Sequence, residues 1–392
     1  MGALNPDAVI AALRTVLPGK QGDIALHEPW FIGKEWEYVK DCLDTGWVSS
    51  NGKYVDRFEM QLAEYTGARH AIAVVNGTAA LHVCLKLAGV QPGDEVVIPA
   101  LTFIATANAV SYCGAIPHFA DSANATLGLD PAKLSDYLSD IAEVRGGACV
   151  NRKTGATIRA AAPMHTLGHP MEIESLLEVA ARFKLVVVED AAESLGSFYK
   201  DSHTGNFGRL SALSFNGNKV VTTGGGGAVL TNDDALAKYA RHLTTTARLP
   251  HKWSFVHDEV GYNYRLPNIN AALGCAQLEQ LPEFVRRKRE LAAAYRSAFS
   301  GVRGVSFFTE PPHARSNYWL NALVLDAAVS DRRDQLLDTL NAQGIMARPV
   351  WTLMHRLPMY QSCPRMPLDT AEDLERRLIN IPSSPFLAAG RQ

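Results

Sequence analysis

The sequence predicts an α/β protein with a mostly parallel central sheet and a smaller α+β domain at its C-terminal end. Over about the first two thirds of the chain, short apolar runs alternate with segments whose apolar residues recur at helical spacing. This alternation is typical of a parallel sheet wrapped by helices. From about residue 250 the alternation stops, and a long polar-faced helix pattern begins. We therefore expect a large α/β domain over 1–250, which includes a helical segment at its start, and a small domain over 251–392.

Each predicted strand is a short run of apolar residues, and the most continuous runs are typical of strands buried on both faces. In chain order the runs are AIAVV (71–75), EVVIPA (95–100), AIPHFA (115–120), AAAPMHTLG (160–168), LVVVEDA (185–191), LSALSF (210–215) and GGAVLT (226–231). Helices are predicted at GTAALHVCLKLAG after the first run and at MEIESLLEVAARFK after the fourth. In the C-terminal part, the predicted helices LPEFVRRKRELAAAYRSAFSG and SDRRDQLLDTLNAQG flank the apolar run in NYWLNALVL.

The composition argues against several classes of function. The 392 residues carry a formal net charge of −2, so there is no basic excess for binding nucleic acid or an anionic membrane. The apolar runs are far shorter than a membrane span. The first residues lack the apolar core of a signal peptide. Six cysteines are scattered without a close pair, which is typical of reduced thiols. We expect a cytoplasmic enzyme.

A metal site is disfavoured. The pair His165 and His169 in HTLGH has a spacing of four, which would suit two ligands on one helix. However, the Gly-His-Pro within and after it breaks such a helix, and no glutamate accompanies the pair in the motif. We expect no metal.

In open parallel sheets, ligands bind beyond the carboxyl ends of the strands, so the residues after each apolar run are the candidates for function. Gly77 and Thr78 follow the first run and open a helix, where free N–H groups and the helix dipole attract an anion. A plain helix start explains them equally, because Asn and Thr are good capping residues.

Asp190 ends the run at 185–191. By the alternation of a strand, Glu189 and Asp190 face opposite sides, so only one of them can serve a given site. An aspartate in this position could bind a metal, cap a helix or pair with a cation. Taken alone, it does not distinguish these roles.

Ser214 and Lys219 follow the run at 210–215, in SFNGNKVVTTGGGG. A phosphate-binding loop of the Walker type is excluded, because it requires Gly before the lysine and Ser or Thr after it. The glycines at 224–227 permit close approach of the backbone to a ligand or a strand. A surface lysine in a flexible turn is the plain alternative.

Together, these residues meet the needs of pyridoxal 5′-phosphate (PLP). An amine such as that of Lys219 forms a Schiff base with its aldehyde, and a carboxylate such as Asp190 pairs with its ring nitrogen. A helix N-terminus with hydroxyl groups takes the phosphate. Phe103, just past a predicted strand, offers a ring to stack on the cofactor, although core packing would also explain it.

The chain resembles the sugar-nucleotide aminotransferases of the DegT/DnrJ/EryC1/StrS family, which have the fold-type-I architecture of aspartate aminotransferase. The resemblance covers most of the chain. It lies in GWVSSNGKYVDRFE (46–59), HAIAVVNGTAALH, GDEVVIPALTFIATANAV, VVEDAAESLGS, LSFNGNKVVTTGGGGAVLT, GYNYRLPNINAALGCAQLEQL (261–281) and ARPVWTLMHRLPMY (347–360).

The resemblance implies a role for each matching residue. Lys219 would be the Schiff-base lysine and Asp190 the partner of the ring nitrogen. The remaining cofactor residues would be Gly77, Thr78, Phe103, Glu193, Ser214 and, across a homodimer with shared active sites, Asn263. Glu193 stands where relatives often carry His or Gln, so its role is left open. Substrate-side residues would be Arg248, Trp253, Arg265, Trp351 and His355.

Some relatives carry His in place of the lysine and act as sugar dehydratases, which Lys219 argues against here. The segments HLTTTARLPHKW and HDEVGYNYR resemble those of one branch of the family. The enzymes of that branch aminate C4 of UDP-linked 4-keto-6-deoxy-N-acetylhexosamines in bacterial surface-sugar biosynthesis. L-Glutamate is the expected amino donor. The alternatives are a GDP- or dTDP-linked keto sugar, or amination at C3. An alternative of another class is a PLP- or sugar-binding regulator without turnover, which the intact Lys219 and Asp190 argue against.

Overall fold

The computed structural model describes residues 4–17 and 23–388, so the outermost residues of both predicted domains (1–3 and 389–392) lie outside it. The helices are α1 (Pro6–Val16), α2 (Glu35–Thr45), α3 (Lys53–Thr66), α4 (Gly77–Leu87), α5 (Ile104–Tyr112), α6 (Pro131–Ile141), α7 (Ile173–Phe183), α8 (Asp234–Thr244), α9 (Asn268–Phe299), α10 (Arg333–Ala342) and α11 (Asp369–Arg377). Among these residues, no helix combines the length and the apolar character needed to cross a membrane.

The strands form three sheets. They are β1 (His70–Val74), β2 (Glu95–Pro99), β3 (Ile116–Ala120), β4 (Ala142–Arg145), β5 (Ala148–Asn151), β6 (Thr157–Ala161), β7 (Val186–Asp190), β8 (Phe198–Tyr199), β9 (Ser202–His203), β10 (Leu210–Ser214), β11 (Gly227–Thr231), β12 (Val305–Phe307), β13 (Ala314–Arg315), β14 (Asn321–Leu325), β15 (Arg348–Pro349) and β16 (Leu378–Ile381).

The large sheet confirms the predicted fold class. Its main path has the order β1-β11-β10-β7-β6-β2-β3, and the β4–β5 hairpin joins it through β6. The pairs from β10 to β3 along this path are parallel, whereas β11 is antiparallel to both of its neighbours. The sheet is therefore mostly parallel, and its central strands are apolar on both faces because helices cover both sides.

One predicted run ends earlier than expected. The apolar run at 160–168 contributes only its first residues to β6, which ends at Ala161. Pro163 follows two residues after Ala161, and its ring nitrogen has no hydrogen to donate to a neighbouring strand. The chain then forms a short 3₁₀ turn (Thr166–Gly168) in which Leu167 has a φ of 58°, in the left-handed region that residues with side chains seldom occupy.

A second, antiparallel sheet has the order β12-β14-β16-β15, and a three-stranded sheet has the order β13-β8-β9. The apolar face of α1 packs in the same core as β14, β16 and the end of α9, through Val9 and Leu13 among others. The N-terminal helix thus packs on the C-terminal part of the chain. The division into domains at residue 250 stays a prediction.

The long helix begins earlier than the sequence pattern indicates. It was expected from Leu281, but α9 starts at Asn268 and continues through Pro282. Its first half is buried and rich in small residues. A Cβ at Gly274 would lie 2.5 Å from the ring of Phe58 on α3, so the small residues allow these two helices to pack closely. Such a segment is apolar on several sides and therefore lacks the amphipathic pattern of a surface helix.

A buried polar network ties the β4–β5 hairpin to the large sheet. Glu95, at the start of β2, is fully buried and accepts hydrogen bonds from Asn151 (2.9 Å) and Thr154 (2.6 Å). His118 Nδ1 lies 2.7 Å from the same carboxylate, and its Nε2 lies 3.0 Å from the hydroxyl of Tyr137. Burial alone would raise the pKa of Glu95, but the hydrogen bonds from His118, Asn151 and Thr154 outweigh it and lower the pKa.

We predict that Glu95→Ala destabilises the protein by about 3–5 kcal/mol at pH 7, because it leaves buried polar groups without a partner. The exposed Glu178 on α7 provides the control, and Glu178→Ala should change stability by less than about 0.5 kcal/mol. Since the pKa of Glu95 is lowered, its contribution is present above its ordinary value of 4.5 and is lost as the pH falls through the folded-state pKa. Urea unfolding at pH 7 and at lower pH measures both effects. Equal stability of the two variants at pH 7 would contradict the prediction.

Candidate active site

A cavity of about 310 Å³ lies at the carboxyl ends of the central strands. It is bounded by residues that follow β1, β2, β6, β7 and β10, which is where ligands bind in sheets of this kind. Eight of the residues singled out in the sequence line this one cavity: Gly77, Thr78, Phe103, Asp190, Glu193, Ser214, Lys219 and Trp351.

Asp190 is the last residue of β7 and faces the cavity. Its carboxylate accepts hydrogen bonds from Thr106 Oγ1 (2.7 Å) and from the backbone N–H of Ala192 (3.2 Å). Burial raises the pKa of Asp190 more than these hydrogen bonds and Lys219 lower it. A cation placed beside such a buried carboxylate would stabilise its ionised form.

Glu189 faces the other side of the sheet, as strand alternation predicts. Its carboxylate lies 2.9 Å from His165 Nε2 and accepts from the backbone N–H groups of Gly205, Phe207 and Gly208. It therefore fixes the loop between β9 and β10 and has no part in the cavity.

The two histidines of HTLGH have separate surroundings. His165 bonds to Glu189, whereas His169 packs edge-on against the rings of Phe308 and Tyr318. Burial lowers the pKa of His169 to about 3. The pair does not act as two ligands for one ion.

Lys219 lies in the turn after β10 and points into the cavity. Its Nζ is 3.4 Å from Glu193 Oε1 and 3.9 Å from the centroid of the Trp319 ring. The indole Nε1 of Trp319 donates to the carbonyl of Asn218 at 2.7 Å, so the same side chain also holds the turn that carries the lysine.

The start of α4 lines the same cavity as Asp190. Asn76 caps the helix by accepting from the N–H of Ala79 at 2.8 Å. A Cβ on Gly77 would lie 2.8 Å from Cβ of Ser214, and a Cβ on Gly227 would lie 2.5 Å from the carbonyl of Asn76. Glycine is therefore required at both positions for the helix N-terminus to approach β10 and β11.

The surroundings of these residues suit PLP, and this can be judged from the structure without any sequence motif. The buried carboxylate of Asp190 with its raised pKa suits a protonated ring nitrogen. Lys219 is an amine within the same cavity, and the N-terminus of α4 with the hydroxyls of Thr78 and Ser214 suits a phosphate. Phe103 is half exposed at the cavity and meets Trp351 edge-on, with ring centroids 6.2 Å apart. The cavity thus offers one group for each functional part of the cofactor.

The other predicted residues lie outside this cavity. Arg265 donates to Asn51 Oδ1 at 2.7 Å and lines a second cavity of about 650 Å³. Arg248 stacks over Phe255 at 4.1 Å, and Trp253 is exposed on the same segment. Asn263 is also exposed.

His355 is nearly buried, and its Nε2 lies 3.3 Å from Glu372 Oε1. Burial is the main cause that lowers the pKa of His355. The functions assigned to these five outlying residues remain predictions.

Several residues at the site were not singled out in the sequence, among them Asn216, Asn218, Thr106 and Trp319. Asn216 and Asn218 stand beside Lys219 in the quoted motif, and Thr106 follows Phe103 closely, so proximity to the motifs was an available signal. Trp319 lies far along the chain and had no such signal.

The chain is similar to known proteins along nearly its whole length. The model of the DegT/DnrJ/EryC1/StrS aminotransferase family matches residues 31–392. The chain is 40% identical to a GDP-perosamine synthase of Escherichia coli O157:H7, over 93% of this chain and 94% of the relative. It is 38% identical to a GDP-perosamine synthase of Caulobacter vibrioides, over 92% and 93%. The solved structure of an aminotransferase, TlmJ, from Streptoalloteichus hindustanus superposes with a TM-score of 0.82 at 28% identity, over 92% and 94% of the two chains.

We predict that borohydride reduction of the purified protein fixes PLP on Lys219, because this is the amine that lines the cavity. Lys219→Ala should abolish turnover while still binding PLP through Asp190 and the helix N-terminus. Peptide mapping by mass spectrometry identifies the modified residue. The exposed Lys252 provides the control, since Lys252→Ala should leave the modification unchanged. A modified peptide that carried another lysine would refute the assignment.

Proposed function

The chain belongs to the DegT/DnrJ/EryC1/StrS aminotransferase family, and we propose that it transfers an amino group from L-glutamate to C4 of a GDP-linked keto sugar. The family's enzymes are PLP-dependent sugar aminotransferases, and this chain is one of them. The observation that carries the chemistry is the meeting of Lys219 and Asp190 in one cavity. The nucleotide and the position of amination are the proposed part.

Whole-chain similarity supports GDP as the nucleotide. Two relatives that match over 92–93% of this chain are GDP-perosamine synthases, at 40% and 38% identity. These two relatives favour the GDP-linked alternative over the UDP-linked sugar that the sequence of residues 242–265 led us to expect. The dTDP-linked sugar is an alternative that the assay below tests, and amination at C3 remains a second alternative.

The roles of the residues follow from their positions. When bound, PLP supplies an aldehyde that reacts with amines and a ring that withdraws electrons. Asp190 would hold the ring nitrogen in its charged form, and Gly77, Thr78 and Ser214 would bind the phosphate. Phe103 would cover the ring. Lys219 Nζ, once free, would move a proton between the α-carbon of the amino donor and the aldehyde carbon of the cofactor.

Lys219 and the two carboxylates near it are largely buried. Asp190 and Glu193 are 2% and 3% exposed, and the Lys219 side chain is 13% exposed. Charged groups interact more strongly in such a place than at the surface, because little solvent screens them.

The substrate is tested with GDP-, UDP- and dTDP-linked 4-keto sugars at equal concentration, with glutamate as donor. We predict that kcat/KM for the GDP-linked sugar exceeds the others by at least about 10²-fold, because a site that hydrogen-bonds one base leaves polar groups unpaired when another base is bound. Release of 2-oxoglutarate is the measurement, and Lys219→Ala is the matched blank. A UDP- or dTDP-linked sugar that reacted fastest would refute the GDP proposal. No 2-oxoglutarate from any substrate would favour a regulator without turnover.

The second part of the proposal is a homodimer in which Asn263 reaches the site of the partner subunit. Asn263 is exposed in its own protomer and does not line that protomer's cavity. These facts support an action in trans.

Hybrid dimers test this arrangement. Asn263→Ala and Lys219→Ala proteins should each have little activity, and we predict that a subunit-exchanged mixture regains it, because one site of each hybrid holds both intact residues. Lys219→Ala mixed with Asp190→Asn is the control and should stay inactive, since both residues line one protomer's cavity. No recovery in the first mixture would mean that Asn263 acts within its own subunit or not at all.

A further inference from the structure

Lys219 Nζ lies between two groups to which nothing above gives a chemical role. Glu193 Oε1 is 3.4 Å away, and the Trp319 ring centroid is 3.9 Å away. A carboxylate and an indole face are both attractive to an ammonium group. The lysine amine thus has a defined place beside the cavity, made by two side chains.

The carboxylate is held in place independently of the lysine. Its second oxygen, Glu193 Oε2, accepts from the backbone N–H of Leu167 at 2.8 Å. Leu167 is buried and has a φ of 58°, a strained conformation that persists only when the surroundings impose it. The adjacent Gly168 has a φ of 91° and could not carry a side chain there, since its Cβ would lie 2.0 Å from Asn317 Oδ1.

One buried amide links the two groups. Asn317 Nδ2 donates to the carbonyl of Glu193 at 2.8 Å, and Asn317 Oδ1 accepts from the backbone N–H of Trp319 at 2.8 Å. The carbonyl of Trp319 in turn accepts from the buried Lys288 Nζ at 3.2 Å. The distance between carboxylate and indole is therefore set by the framework.

An ammonium group has no lone pair, so Lys219 must lose a proton before it can form a bond to an aldehyde or accept a proton itself. A base within reach is needed for that step. Both carboxylate oxygens of Asp190 already accept hydrogen bonds, from Thr106 and Ala192. Glu193 Oε1, in contrast, faces the Lys219 amine.

The pKa of Glu193 suits such a base. Its pKa is raised to about 7, because burial, with a smaller contribution from Asp190, outweighs the lowering effects of Lys219 and of the N–H of Leu167. The charged groups that act on Glu193 are thus Lys219 and Asp190. A base with a pKa close to the working pH is the most effective one.

We propose that Glu193 is the catalytic base that takes the proton from the Lys219 ammonium, and that Trp319 is a positioning residue that holds Nζ beside it. The N–H bond of Lys219 breaks and an O–H bond forms on Glu193 Oε1. An ion pair becomes two neutral groups, so the net charge is unchanged. The proposal rests on the proposed function, because it concerns the reactive amine of that function.

The test follows cofactor uptake by the cofactor-free protein and uses neither donor nor sugar. At saturating PLP, the first-order rate at which visible absorbance appears reports the reaction of Lys219. In the wild-type protein this rate should fall as the pH falls through about 7, because protonated Glu193 cannot accept a proton. Glu193→Gln should react about 10²-fold more slowly at pH 8 and should lose the change near pH 7. Glu193→Asp should keep the pH dependence at a lower rate.

Trp319 is tested by the same measurement. Trp319→Phe keeps an aromatic face and should react within about threefold of the wild type, whereas Trp319→Leu should be about tenfold slower, in line with the loss of a cation–π contact. Both variants should keep the change near pH 7, because Glu193 is intact. Circular dichroism and thermal unfolding identify any variant that fails to fold, and Glu193→Asp and Trp319→Phe then decide the question.

Several outcomes would overturn the proposal. A Glu193→Gln protein that reacts as fast as the wild type, or faster, would mean that the carboxylate only retains the ammonium. A wild-type rate without any change near pH 7 would exclude Glu193 as the base. A failed substrate panel leaves this test unaffected, since no sugar nucleotide enters it.

Discussion

The parallel pairing of β7 with β10 is the constraint on which the active site depends. In this register Asp190 lies beside Ala212, so the carboxylate and the turn that carries Lys219 emerge at the same edge of the sheet. A shift of one residue would reverse the faces and turn Glu189 toward the cavity in place of Asp190. The register is fixed from both sides, because β7 also pairs with β6 and β10 with β11.

Three buried glutamates show how the protein assigns different chemistry to one residue type. Burial alone would raise the pKa of each of them. The pKa of Glu189 is lowered, because His165 and three backbone N–H groups surround its carboxylate, and the residue has a structural role. The pKa of Glu95 is likewise lowered by its three side-chain partners. Glu193 has one backbone N–H and the Lys219 amine, and its pKa is raised to about 7. The number of donors around each carboxylate, more than its depth, decides whether it is a fixed anion or a group that can exchange a proton.

Much of the fold and of the cofactor site could be predicted from the sequence, because both depend on local patterns. The apolar runs became strands, and the polar residues after them met at one edge. Elements with a weaker local signal were missed. The β4–β5 hairpin turns at Gly146 and Gly147, a Gly pair that was an available signal, but its strands are short and partly exposed. Trp319 and Asn317 could not be found, since they reach Lys219 and Glu193 only through the packing of distant parts of the chain.

The same distinction between buried and exposed residues explains why the nucleotide was the weakest part of the prediction from sequence. Most of the residues that fit the cofactor, Phe103 excepted, are enclosed by the sheet and by α4, so a change in one of them would disturb packing as well as chemistry. The UDP-linked sugar was inferred from residues 242–265, where Trp253 and Phe255 are largely exposed and Arg248 stacks over Phe255 of the same segment. Exposed side chains tolerate substitution at little cost in stability, so the sequence of such a segment is weak evidence for the identity of the nucleotide. Similarity along the whole chain, which includes the buried framework, is the stronger indication and favours GDP.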